Sequence, residues 1–76
     1  MSEKLPRLTA LEIIRVLEKE GFSFSRQSGS HKIYKNKKGK RVTVPFHSGK
    51  ILHPKVLISI LRDADLDVEK LKELLK

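Results

Sequence analysis

The spacing of the apolar residues changes twice along this chain, and that change limits the fold more than any other feature. Over residues 9–20, Ala10, Ile13, Ile14 and Leu17 fall at i, i+3, i+4 and i+7, the stripe of an amphipathic helix. Thr9 is placed to cap its start, with Glu12 completing a capping box, and Gly21 follows its last turn. Over residues 22–45 the period drops to two. Phe22 and Phe24 alternate with Ser23 and Ser25, residues 32–35 form a second short strand candidate, and Val42 and Val44 alternate with Arg41 and Thr43. The bend between the first two strands is expected at residues 27–30, and the hairpin turn at residues 36–39, where Gly39 supplies a positive φ.

Helical spacing returns after Pro45 and a loop containing Gly49. A second helix is expected from His53 or Pro54, with Leu57, Ile60, Leu61 and Ala64 inward. Asp67 is placed to cap a last short helix carrying Val68, Leu71, Leu74 and Leu75. The fold class expected is α+β: helix, three-stranded antiparallel sheet, helix, plus a short C-terminal helix, as one domain over residues 1–76. That is also the order of the double-stranded-RNA-binding domain, a likeness of fold that carries no function by itself. A chain of 76 residues buries only about 60% of its unfolded surface, so little room remains for anything else.

Charge narrows the partner. The chain carries 17 Lys and Arg against 9 Asp and Glu, yet no acid lies between Gly21 and Arg62, a window holding ten bases. Such segregation suits a polyanion, nucleic acid before an anionic membrane. No cysteine is present, which excludes a disulfide scaffold, a zinc knuckle and a thiol nucleophile and is compatible with a reducing, cytoplasmic setting. Ser2, Glu3 and Lys4 open the chain without an apolar run, so no signal peptide is expected, and no apolar stretch is long enough for a membrane span.

The only side chains that titrate near neutral pH are His31, His47 and His53. Their spacings, sixteen and six residues, match no usual metal-ligand pattern, so neither a metal nor a cofactor is expected. His31 follows Gly29-Ser30 at the mouth of the second strand, among Arg26, Lys32 and Lys35. RNA cleavage needs a base for the 2′-hydroxyl, an acid for the leaving oxygen and cations around the phosphate, and a histidine among lysines meets those needs without metal. The residues alone leave His31 open between that role and a plain surface histidine. His53 is open between a ligand contact and a helix cap, and His47 between a ligand contact and a solvated loop residue. Phe22 and Phe24 are expected in the core. Tyr34 and Phe46 are candidates for stacking on bases, and either Tyr34 or Ile33 must point away from the helices.

Four blocks in order resemble the HicA toxin family, small mRNA interferases of toxin–antitoxin pairs. They are Leu17-Glu18-Lys19-Glu20-Gly21-Phe22, Arg26-Gln27-Ser28-Gly29-Ser30-His31, Gly39-Lys40-Arg41-Val42-Thr43-Val44-Pro45 with His47 following, and Leu57-Ile58-Ser59-Ile60-Leu61-Arg62-Asp63-Ala64. The resemblance implies a double-stranded-RNA-binding-domain-like fold, a metal-independent endoribonuclease acting on mRNA, and a catalytic histidine at His31. It also implies a HicB-type antitoxin that covers the site. The RNA-binding residues expected with it are Arg26, Ser30, Lys32, Lys35, Lys37, Lys38, Lys40, Arg41, His47 and Lys50. The competing expectation is a non-catalytic RNA-binding module using the same basic face. The tail beyond Asp65 exceeds the family pattern, and the sequence leaves open whether it packs on the core or meets the partner.

Overall fold

A computed structural model describes residues 5–76; Ser2, Glu3 and Lys4 lie outside the described residues. The fold is α+β. Its elements run α1 (Ala10–Lys19), β1 (Ser23–Ser28), β2 (His31–Lys35), β3 (Arg41–Pro45), α2 (Pro54–Ala64) and α3 (Val68–Leu74). The strands form one antiparallel sheet in the order β1-β2-β3. The order is the expected one, but β1 runs through Gln27 and Ser28, which the sequence places in the bend. A two-residue loop suffices there: Ser28 pairs with His31, and Gly29 takes φ 59° at the first loop position.

The helix ends follow local chemistry. The Thr9 N–H donates to Glu12 Oε1 (2.8 Å) and the Glu12 N–H donates to Thr9 Oγ1 (3.3 Å), closing the capping box. Past α1, the Phe22 N–H donates to the Leu17 carbonyl (2.9 Å) around Gly21 at φ 95°. His53 caps α2, its Nδ1 accepting from the Lys55 N–H (3.1 Å). Asp67 caps α3, its Oδ1 accepting from the Lys70 N–H (2.7 Å).

Among the described residues, the core joins Ile13, Ile14 and Leu17 of α1 to Tyr34, Val42 and Val44 of the sheet and to Leu57, Ile60 and Leu61 of α2. The α2 helix packs on β3, and α1 touches β3 as well. The tail belongs to this core: Leu71 is fully buried, and the Lys19 ammonium donates to the Leu74 carbonyl (2.7 Å) at the end of α3. Ahead of α1, Leu8 is clipped to the loop after β3 by a hydrogen bond from the Leu52 N–H (2.7 Å). Among the described residues, no helix is long and apolar enough to cross a membrane.

Two aromatic expectations are corrected. Phe24 is 53% exposed rather than in the core, because β1 is an edge strand and the helices gather over β3. Its ring meets Tyr34 edge-on, with centroids 5.8 Å apart. Tyr34 points toward the helices and is buried, so it is no platform for a base, and Ile33 takes the opposite face.

Candidate functional site

Residues opposite one another across an antiparallel pair share a face, and neighbours along a strand alternate. Tyr34, opposite Val42, marks the face under the helices. His31, Ile33 and Lys35 of β2 therefore lie on the open face, opposite Pro45, Thr43 and Arg41 of β3.

On β1, one irregularity decides what joins them. The register shifts between Phe24 and Arg26, so Ser25 is the extra residue of a bulge. A strict period of two would place Arg26 beside Phe24 under the helices. The bulge turns it over: Arg26 pairs with Ile33, and Ser28 with His31. Arg26 thus lies diagonal to His31 on the open face, about 7–8 Å away at the backbone and within reach of a long side chain. No sequence motif signals this; the closest clue is the polar run after Phe24.

His31 is exposed and opens the central strand, just after the Gly29-Ser30 loop. That loop is held from two sides. The Gln27 side-chain amide donates to the Gly29 carbonyl (2.9 Å), and the Phe46 N–H donates to the Ser30 carbonyl (2.7 Å). Ser30 itself is exposed. Beyond Pro45, the chain turns through residues 47–50 and forms a cleft of about 210 Å³ lined by Pro45, His47, Lys50, Ile51, Leu52, His53 and Val56. His47 and Lys50 therefore stand beside the His31 end of the sheet.

The other expected cations are distributed differently. Lys32 lies on the helix side by register, its ammonium 4.0 Å from the centre of the Phe46 ring. Phe46 is half-buried against the core and already covered by that cation. Lys35 and Arg41 share the open face with His31 but sit four residues along β2, about 13 Å away. Lys37, Lys38 and Lys40 are carried by the β2–β3 turn, which Asn36 braces by accepting from the Lys38 and Lys40 N–H groups (3.1 and 2.9 Å). There the acids outside the basic window return. Glu20 and Asp65 line a cleft of about 400 Å³ with these lysines, and Lys40 pairs with Asp65 at 3.4 Å.

Tyr34 does not enter the chemistry: burial, with Glu18 adding to it, pushes its hydroxyl pKa up and keeps it neutral. Among the described residues, no group of three or more His, Asp and Glu side chains is placed to hold a metal ion.

The model of the family described as the HicA toxin of bacterial toxin-antitoxin matches residues 11–66. The chain belongs to the HicA toxin family. It is thereby a toxin-family protein with an antitoxin as its implied partner, and its fold is the double-stranded-RNA-binding-domain-like one expected of that family. The match ends at Leu66, so α3, buried through Leu71, lies beyond the matched region. A comparison with curated proteins gives no match.

Proposed function

We propose that the protein is an mRNA interferase: an endoribonuclease that cuts mRNA with His31, needs no metal, and is silenced by a HicB-type antitoxin lying over the same face. The observation that carries this reading is the placement of an exposed histidine at the head of the central strand, on a face that bears Arg26, Lys35 and Arg41 and no acid. A phosphodiester bound there meets cations without a competing carboxylate. His31 as neutral imidazole takes the proton of the 2′-hydroxyl. The 2′-oxygen attacks phosphorus, the bond to the 5′-oxygen breaks, and the products are a cyclic phosphate and a free 5′-hydroxyl once a proton reaches the leaving oxygen. Arg26, diagonal to His31, stabilises the charge gathering on the phosphoryl oxygens. Lys35, Arg41 and the turn lysines extend the cationic track, and Lys50 and His47 continue it past Pro45. Lys32 contributes through the field of the surface, since its head group sits on Phe46.

The competing reading is an RNA-binding module without cleavage. It draws on one observation: among the described residues, no side chain hydrogen-bonds the His31 ring to orient it. A catalytic hydrogen bond commonly tightens only once substrate is bound, so this favours the module weakly.

Purified protein incubated with a long single-stranded RNA in EDTA separates the two. Cleavage in EDTA is expected; binding without cleavage makes the protein a module. Adding the product of an adjacent gene, expected to be a small acidic protein, should give a tight complex and stop the reaction. A complex that still cleaves freely overturns the masking role.

A further inference from the structure

The cleft beyond Pro45 has apolar walls and adjoins the His31 end of the sheet. Pro45 forms one wall and is also the residue directly opposite His31 across the β2–β3 pair, so their Cβ atoms stand about 5 Å apart. Ile51, Leu52 and Val56 supply the remaining apolar walls, and His47, Lys50 and His53 also line it. No acid lines it.

Ile51 is 50% exposed, so its side chain is open to a ligand in the cleft. The loop is fixed at both ends: Ile51 bridges to Thr9, and the Lys50 N–H donates to the His47 carbonyl (3.1 Å). His53 has a defined tautomer. Its Nδ1 accepts from the Lys55 N–H, so the neutral ring carries its proton on Nε2, as a donor.

We infer that this cleft is a nucleobase subsite, holding the base next to the phosphate that lies over His31, and that it gives the protein a base preference at that position. The inference rests on the reading of the open face as an RNA site. Size supports it: about 210 Å³ falls below the ~300–1,000 Å³ of pockets for larger ligands and suits one base. Chemistry supports it too. The flat aliphatic walls suit the faces of a base, the His53 Nε2–H suits an acceptor on its edge, and Lys50 suits the following phosphate.

The test uses 2′-O-methyl pentanucleotides of A, C or U, which lack the attacking hydroxyl and are read without cleavage. Affinity and NMR shifts are measured for the wild type, Ile51→Ala and His53→Asn. Asn preserves the helix cap, and Ile51 is exposed enough for Ala to leave the fold intact. The best and worst bases are expected to differ by about fivefold, with shifts at Ile51 and His53, and each variant should shrink that difference to about twofold or less. Equal affinities for all three, or a preference that survives both variants, overturns the subsite. So does a result in which the variants loosen only the antitoxin complex, since a protein side chain is then the occupant. A preference that collapses in the variants of a protein that never cuts RNA leaves the subsite standing and removes the ribonuclease. Cleavage with no preference does the reverse.

Discussion

The two ends of the sheet are both basic, with Lys37, Lys38 and Lys40 at one and Arg26 and Lys50 beside two histidines at the other, and they differ in what surrounds them. At the β2–β3 turn, Lys37, Lys38 and Lys40 face Glu20 from the end of α1 and Asp65 from the end of α2. At the opposite end, Arg26, His31, His47 and Lys50 have no carboxylate among the lining and register neighbours described above. The comparison teaches that formal charge along the chain is a poor guide to free charge in space. A cation paired with an acid has less to offer a phosphate, while an unpaired one holds its full field. On the proposed reading, the His31 end carries the chemistry and the turn end a supporting contact.

The largest effect expected at the His31 end is catalytic. His31→Ala should reduce RNA cleavage by about 10²–10⁴-fold, the usual loss on removing a positioned acid or base. Stability should move by no more than about 0.5 kcal/mol, because the side chain is exposed and packs in no core. His47→Ala should be milder. Cleavage of one RNA substrate, with thermal melting alongside, reads both quantities. Wild-type cleavage by the His31 variant removes it from the reaction, and an unfolded variant makes it structural.

The reverse pattern belongs to the tail behind the turn end. Leu71→Ala should cost about 2–5 kcal/mol of stability, since its side chain is fully buried beside α1. Cleavage per folded molecule should stay unchanged. Denaturant unfolding gives the first number. A loss below about 1 kcal/mol would make α3 an appendage and leave its hydrophobic face for the antitoxin.

Much of this arrangement was legible in the sequence, and the parts that were not share a cause. The α1 stripe, its capping box, the Gly39 turn and the Asp67 cap are local patterns, fixed by neighbours in the chain. Phe24 was misread because a period of two gives a strand's faces but not which strands the helices cover. Arg26 reaches the open face only through the bulge at Ser25, which alternation conceals. The return of Glu20 and Asp65 to the lysine turn is likewise tertiary, joining residues that the chain separates. His53 illustrates the divide: the sequence left cap and ligand contact both open, and the structure has it capping α2 while also lining the cleft.

Salt dependence sharpens the comparison between the two ends. If about four phosphates of a single strand are neutralised, the log–log slope of affinity against salt should lie near −3. Arg26→Ala should make that slope shallower by about 0.7, the share of one phosphate. Lys40→Ala should change it less, because Asp65 already pairs with that ammonium. Binding of a cleavage-resistant RNA at several salt concentrations measures all three. Equal changes from both variants would erase the distinction between the ends, and a flat wild-type response would discard the basic face as an RNA surface.

The smallest effect concerns Asp65, where the turn end stores strain. The residue follows the last turn of α2 in the left-handed region, at φ 63° and ψ 40°. Around it the Asp65 N–H donates to the Arg62 carbonyl (3.1 Å) and the Leu66 N–H to the Leu61 carbonyl (2.8 Å), the same closure that Gly21 serves after α1. Glycine adopts this conformation freely, whereas an L side chain is penalised by roughly 1 kcal/mol. Against that gain stand the extra chain entropy of glycine and the loss of the Lys40 pair. The pair is exposed on both sides and worth about 0.5 kcal/mol at most. The glycine entropy costs about 0.5 kcal/mol or more, so the three contributions nearly cancel, and Asp65→Gly should leave stability within about 0.5 kcal/mol of the wild type, or about 2–4 °C in Tm for a domain of this size. It should also release Lys40 and steepen the salt slope of RNA binding by up to about 0.7. An unchanged slope would put the turn lysines outside the RNA track, and a Tm shift beyond that range would mean that one contribution governs this corner, the backbone if Tm rises and the ion pair if it falls.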